Sequence, residues 1–420
     1  MFDNLLYQPV AEQLTIDLHN GVLPNAMLFS GNESSGKLTC ALELARVLSC
    51  LKKPFGEWTC NCPACQKHKA LSSTSVLLAG PRSCVLEISA AAKTLLEAAS
   101  SNASYITAAR YLYVRSVRKL TLRFSPILWE GDEKSSKISP ALSSIDEYLE
   151  ELDPVRPLPE YSKLEKICVA LNPLCAKLEN NFMYDSIPVA HIRRASSWAH
   201  FRSDAGKKMM IIENADRMQE SVRNALLKIL EEPPEDVVFI LTTSRRNAII
   251  PTILSRVRTY NFVDRNASAQ EEVIRRVFHG STSVSSVNSY LQSFLPVEPS
   301  VCAEAGRKFV TLISQDRFPD IEATVKNCEN FEPRILLNVF LGGITGYLRD
   351  ATLGDSMSSK DEPIQIARVR SGELAAEGLK AVHECINHVN VFNQSVHSAL
   401  ELLASDLSCA FRKYGVDVNL

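Results

Sequence analysis

The sequence predicts an α/β domain built on a parallel sheet and followed by an all-helical tail, and three observations lead there. Two stretches carry strand–turn–helix grammar, one near residue 26 and one near residue 209. From about residue 264 strand-like runs disappear and helical periodicity dominates. Strands that alternate with helices call for a parallel sheet covered by those helices. At 420 residues, with roughly 100–200 residues per domain, the chain has room for about two to four domains. Apolar residues make up 45% and charged residues 22%, which excludes a disordered chain, a fibre or a disulfide-stapled mini-protein. The formal net charge is −2, so bulk charge gives no nucleic-acid footprint and any DNA contact must come from a local patch.

The first motif begins with the apolar run Ala26 to Phe29, which reads as a buried strand. Ser30 to Lys37 follow, and a helical pattern then starts with Ala41, Leu44, Ala45 and Leu48. Gly31-x4-Gly36-Lys37 has the spacing of a phosphate loop, whose backbone N–H groups wrap a phosphate while the lysine neutralises it. The pattern also asks for Ser or Thr after the lysine, to hold Mg²⁺ by its hydroxyl. Leu38 stands there, and Thr39 comes one residue late, rotated by ~100° around the helix. The plainer reading is a Gly/Ser turn retained for shape.

The second motif runs from Met209 to Ile212 into Glu213-Asn214-Ala215-Asp216. A helix follows with Val222, Ala225, Leu226, Ile229 and Leu230 on one face, stopped by Pro233-Pro234. Another apolar run, Val237 to Leu241, comes next. Phosphate-loop ATPases place an Asp at such a strand end for Mg²⁺, often followed by a Glu that activates water. Here the pair is Glu213 and Asn214, and Asn cannot take a proton at neutral pH. Self-contained ATP hydrolysis is not expected.

Twelve cysteines include one cluster, Cys50-x9-Cys60-x1-Cys62-x2-Cys65. No N-terminal secretory signal is read, the apolar runs fall short of the ~18 residues of a membrane span, and a cytoplasmic location follows as the expectation. In a reducing compartment such a cluster means metal, and four thiolates complete a closed structural zinc site. His68, three residues after Cys65, is a candidate substitute ligand. The other eight cysteines read as small core residues.

Residues from about 88 to 185 fit neither half and read as an insertion. Its first part holds Arg110, Arg115, Arg118, Lys119 and Arg123; its second is acidic, with Asp146, Glu147, Glu150, Glu151 and Asp153. Ile106, Ala109, Tyr113, Val117, Leu120 and Phe124 form an apolar stripe, which places the five cations on the opposite, solvated side of a helix. That patch is a candidate for phosphate contact or for pairing with the acidic half. In the tail, Leu379, Val382, Ile386 and Val389 mark one helix face, continued by Val396, Ala399, Leu400, Leu403 and Leu407. Ser281–Ser289 and Pro296–Pro299 read as linker.

The runs Leu23 to Gly31, Asn224 to Pro234, Phe239 to Thr243 and Ile253-Leu254-Ser255-Arg256 resemble those of bacterial DNA polymerase III clamp-loader subunits, as does the cysteine cluster. The family usually has Ser-Arg-Cys where this chain has Val257, and Cys-x8-Cys-x2-Cys-x2-Cys where the second cysteine is here displaced. The resemblance covers residues 1–82 and 186–262 and implies an AAA+-type P-loop domain (1–262) with a zinc module (50–68) and the insertion, then a small helical lid (263–298) and an all-α collar domain (299–420). Gly36-Lys37-Leu38 and Glu213-Asn214 depart from the tau/gamma motor, so the chain is similar to the delta-prime type, with an active tau/gamma-like ATPase as the alternative. A stand-alone helicase or repair ATPase fits poorly. The resemblance implies a degenerate nucleotide site at Gly31, Gly36, Lys37, Thr39, Glu213 and Thr243, with ATP/Mg²⁺ binding left open, and structural Zn²⁺ on Cys50, Cys60, Cys62 and Cys65. It implies an arginine finger at Arg256, given in trans to a neighbour's ATP, because a planar, always-charged fork suits a γ-phosphate. Expected partners are the delta and tau/gamma subunits in a ring, with the sliding clamp and primed DNA reached through that complex.

Overall fold

The computed structural model describes residues 1–52, 56–81, 83–184, 186–201, 207–280, 286–353, 371–390 and 394–414. Residues 281–285 of the Ser-rich linker lie outside the described residues. The chain forms two compact units, Met1–Phe294 and Leu295–Leu420.

In the first unit five parallel strands, β1 (Ala26–Ser30), β2 (Val76–Ala79), β3 (Lys208–Ile212), β4 (Val237–Thr243) and β5 (Arg258–Asn261), lie in the order β2-β3-β4-β1-β5. This is the AAA+-type α/β sheet that was expected. β1 to β4 are buried at every residue, as continuous apolar runs covered on both faces should be. β5 is an edge strand with only Tyr260 buried. Its polar alternation hid it from the sequence pattern, and β2 was too short to stand out.

Helices α1 (Val10–His19), α2 (Lys37–Leu48) and α3 (Pro63–Lys69) come early in the chain. Met27, Phe29, Leu78, Ile211 and Ile240 point to the face covered by Leu14 of α1 and by Leu38 and Leu42 of α2. The alternate strand residues, including Leu28, Leu77, Met210 and Phe239, enter a second core on the other face. That core is built by α4 (Val85–Ser100), α5 (Ile106–Thr121), α6 (Pro126–Trp129), α7 (Ser135–Glu151), α8 (Tyr161–Phe182), α9 (Val189–His200) and α10 (Glu220–Glu231). Residues 88–184 therefore supply most of the helical layer on one side of the sheet. Ile88, Leu95, Tyr113, Val117, Leu164 and Leu171 share one core with Leu28 and Met210.

After α11 (Pro251–Leu254) and β5 come α12 (Ala267–Phe278) and α13 (Val287–Gln292). Val273, Ile274, Phe278 and Tyr290 pack on Ala90 of α4, and the Thr94 hydroxyl donates to the Phe278 carbonyl at 2.9 Å. The small helical segment thus belongs to the first compact unit. The second unit contains α14 (Pro299–Ser314), α15 (Ile321–Asn327), α16 (Ile335–Leu353), α17 (Ser371–Asn390) and α18 (Val396–Tyr414) around its own core, with Phe309, Phe340, Leu400 and Leu407 at its centre. One residue of the expected α17 face is misplaced. Leu379 is 50% exposed, because the buried stripe runs through Leu374, Ala381, Val382, Cys385 and Val389. Among the described residues no helix is long and apolar enough to cross a membrane.

Candidate functional site

Parallel register brings the expected nucleotide residues to one edge of the sheet. Ser30 pairs with Thr243 and Ile212 with Leu241, so Gly31, Glu213 and Thr243 all stand at strand C-terminal ends. The loop enters α2 through Gly36, whose φ of 98° lies in the left-handed region that favours glycine. Lys37 Nζ donates to the carbonyls of Gly31 and Asn32 at 2.5 and 2.6 Å. Arg265, just beyond β5, donates to the carbonyls of Ser34 and Ser35 at 2.8 and 3.0 Å. The Asp264 carboxylate accepts from the Asn32 side chain. The loop is thus bound by its own lysine and by residues 264–265. Leu38, at the magnesium-hydroxyl position, is buried in the core under α2, and Thr39 is half-buried.

Glu213 is buried at the end of β3 and forms an ion pair with Arg123. The same guanidinium donates to the Gly80 carbonyl at 3.2 Å. Asn214 donates its side-chain amide to the Pro81 carbonyl at 2.6 Å, and the Thr243 hydroxyl donates to Asp216 at 2.8 Å. As arranged, the site does not fit Mg²⁺-nucleotide. The hydroxyl position is a buried leucine, the strand-end carboxylate holds a guanidinium, and the Thr243 hydroxyl is committed to Asp216.

Arg123 belongs to the basic run, and the structure corrects the expectation for all five cations. They do not form a solvated face. Arg110 is buried and donates to the carbonyls of Leu152, Asp153 and Arg156 at 3.0, 2.5 and 2.7 Å. Arg115 donates to the Lys69 carbonyl at 2.9 Å and Arg118 to the Ala70 carbonyl at 2.6 Å. Lys119 pairs with buried Glu87. Residues 151–152 and 69–70 end α7 and α3, so Arg110, Arg115 and Arg118 each meet at least one carbonyl that a helix C-terminus leaves without an intrahelical donor. A phosphate-binding patch is not formed by these side chains.

Arg256 follows α11 by two residues, and its side chain is 30% exposed. It donates to Glu231, the last residue of α10, at 2.5 Å through Nη2 and 3.2 Å through Nε, and to the Thr252 carbonyl at 2.7 Å.

The four clustered cysteines come together. Their sulfurs lie within 4.8 Å of one another, with Cys50 and Cys60 3.7 Å apart. Cys62 caps α3, its sulfur accepting from the Cys65 N–H at 3.4 Å. A tetrahedral zinc with bonds of about 2.3 Å spaces its sulfurs by about 3.8 Å, so the set fits a closed metal centre. The displaced second cysteine does not spoil it. His68 is not in that group; burial, with Arg46 and Arg115 beside it, pushes it down to about 4. Of the eight other cysteines, Cys409 is exposed and the rest are buried as expected.

A family model described as DNA polymerase III, delta subunit, matches residues 7–125 and 162–266, just over half of the chain. Residues 126–161 fall between the two matched parts, so the match enters the stretch expected as an insertion from both sides. The chain is 38% identical over 69 residues to the DNA polymerase III subunit delta' of Bacillus subtilis, 16% of this chain and 21% of that protein. It is 43% identical over 51 residues to the delta' subunit of Pseudomonas aeruginosa, 12% of this chain and 16% of that one. It is 42% identical over 55 residues to the gamma/tau subunit of Mycobacterium tuberculosis, 13% of this chain and 10% of that one. The aligned stretches thus span about a fifth or less of these relatives. A solved gamma subunit-related protein of Thermotoga maritima is 15% identical, covering 59% of this chain and 90% of that one, at a TM-score of 0.25 too low to carry an argument.

Proposed function

The chain belongs to the family described as DNA polymerase III, delta subunit, and from that premise we propose that it is the delta-prime-like, non-hydrolysing subunit of a clamp loader. In this reading it joins delta and tau/gamma subunits in a cytoplasmic ring that loads a sliding clamp on primed DNA. Residues 1–262 act as the AAA+ domain, 263–298 as its lid and 299–420 as the collar through which the ring is held. Arg256 reaches the ATP of a neighbouring subunit.

The observation that carries the proposal is the Arg123–Glu213 pair. An acid already neutralised by a buried guanidinium is not available to a metal, and Asn214 beside it has no basic atom for water activation. The test is steady-state ATPase of the purified chain, alone and with primed DNA. Background turnover is expected. Turnover at motor rates would overturn the reading in favour of the tau/gamma-like alternative.

Lys37→Ala should leave clamp loading by a reconstituted complex within about twofold of wild type, since Lys37 serves the loop's own carbonyls. A loss of loading above tenfold, in rings of normal size, would show a working nucleotide site.

The cysteine centre has a structural role in this reading. Thiolate ligation couples metal to folding, so the protein should carry about one zinc per chain. Cys62→Ser or Cys65→Ser should abolish the metal and lower the melting temperature. Elemental analysis of protein purified without chelators decides the first point and a thermal scan the second.

A further inference from the structure

Arg46 is a charged residue that neither the loop nor the finger uses. It lies on α2, the helix that carries the phosphate loop, and its side chain is fully buried. Its Nε donates to Glu43 at 2.9 Å. Nη1 meets the Glu57 carbonyl at 2.9 Å and the Cys65 sulfur at 3.8 Å. Nη2 donates to the carbonyls of Met1 and Gly56 at 2.9 and 3.0 Å. Across the cysteine cluster, buried Lys69 donates to the Cys60 carbonyl at 2.9 Å. Glu43, also buried, is shared by Arg46 and Arg115.

Without a metal, the side-chain charges around the four cysteines leave an excess of cations. Three cations, Arg46, Lys69 and Arg115, lie about the Glu43 carboxylate, while Glu87, which also faces Arg115, is offset by its own partner Lys119. A divalent metal on four thiolates carries a charge of about −2, and adding it brings the buried assembly to neutrality. Uncompensated buried charge is costly, so the pocket is built for a dianionic centre. We propose that Arg46 and Lys69 are the resident counter-charges of a divalent tetrathiolate centre, and that Arg46 positions this centre against the phosphate-loop helix and the N-terminal residue. Glu43 and the carbonyls fix the guanidinium, which in turn aims an N–H at the Cys65 sulfur. The inference rests on the cysteine cluster holding metal.

The test uses the full chain. Zinc release to a chromogenic chelator, and melting with and without metal, are measured for wild type, Arg46→Met, Arg46→Lys and Lys69→Met. Partners outside the ligand set typically set metal affinity by about 10–100-fold, so Arg46→Met should speed release by about tenfold or more. Arg46→Lys should recover part of that, since it keeps the charge and loses the fork. Metal removal should lower the melting temperature of wild type more than that of Arg46→Met, in which the loss strands one cation fewer. If Arg46→Met does not fold, Lys69→Met must show the same two signs. Unchanged release, or equal melting losses, in zinc-bearing wild type overturns the counter-charge role alone. Wild type without metal overturns both the cluster's reading and the charge match.

Discussion

Arg256→Ala is expected to lower the DNA- and clamp-stimulated ATPase of an assembled clamp loader in part, and to lower loading further, while the chain itself folds normally. Fingers contribute about 10³–10⁵ in rate at the site they serve, but one of several sites in a ring would lose its finger. Total turnover therefore falls only by that site's share, and a stalled site holds back a concerted cycle. In the structure the Arg256 side chain is held by Glu231 and the Thr252 carbonyl. Its partner Glu231 has a side chain 53% exposed, and a solvent-screened pair of this kind is worth about 0–1 kcal/mol. Exchanging Glu231 for a phosphate across an interface thus costs little, and so does the alanine substitution in the isolated chain. Arg256→Lys should not rescue turnover, because an ammonium lacks the planar fork. The experiment reconstitutes the complex with each variant, confirms its size, then measures ATPase and loading. Wild-type values for Arg256→Ala in a correctly sized ring would remove the finger assignment.

Arg123→Met should destabilise the first unit by about 3–5 kcal/mol, the usual cost of removing one partner from a buried ion pair. Glu213 would keep its carboxylate in the core without the guanidinium that faces it. Adding Glu213→Gln to Arg123→Met should return most of the loss, because the charge that needed Arg123 is gone. Urea unfolding of the four proteins measures the coupling. Additive losses would mean that the pair contributes nothing specific, and the account of Glu213 as a committed residue would fail with it.

Much of this architecture is legible in the chain. β1, β3 and β4 announce themselves as apolar runs, and Val222, Leu226, Ile229 and Leu230 of α10 bury the face that their spacing marks. The cysteine cluster is equally plain. The basic stretch was read half correctly: Tyr113, Val117, Leu120 and Phe124 are buried as the stripe requires, yet the five cations are themselves buried or half-buried. The partners there are mostly backbone carbonyls at or just past the ends of α3 and α7, with Glu87 and Glu43 beside them, and carbonyls leave no trace in composition or charge pattern. The Arg123–Glu213 pair was hidden for a related reason. The two residues stand 90 positions apart, and only the packing of the turn Leu122–Phe124, just after α5, against the edge strand β2 brings them together.

The contacts of Arg110 bear on whether residues 126–161 can be removed. The family match stops at residue 125 and resumes at 162, which invites treating the stretch between as a detachable acquisition. Yet the carbonyls that receive the Arg110 guanidinium, those of Leu152, Asp153 and Arg156, all lie inside that stretch, while Arg110 itself sits on a matched helix. Excising the stretch would strand a buried cation whose acceptors had left with it. Residue 110 and residues 126–161 therefore form one physical unit in this chain, and removing the segment is expected to destabilise the fold unless the arginine is replaced as well.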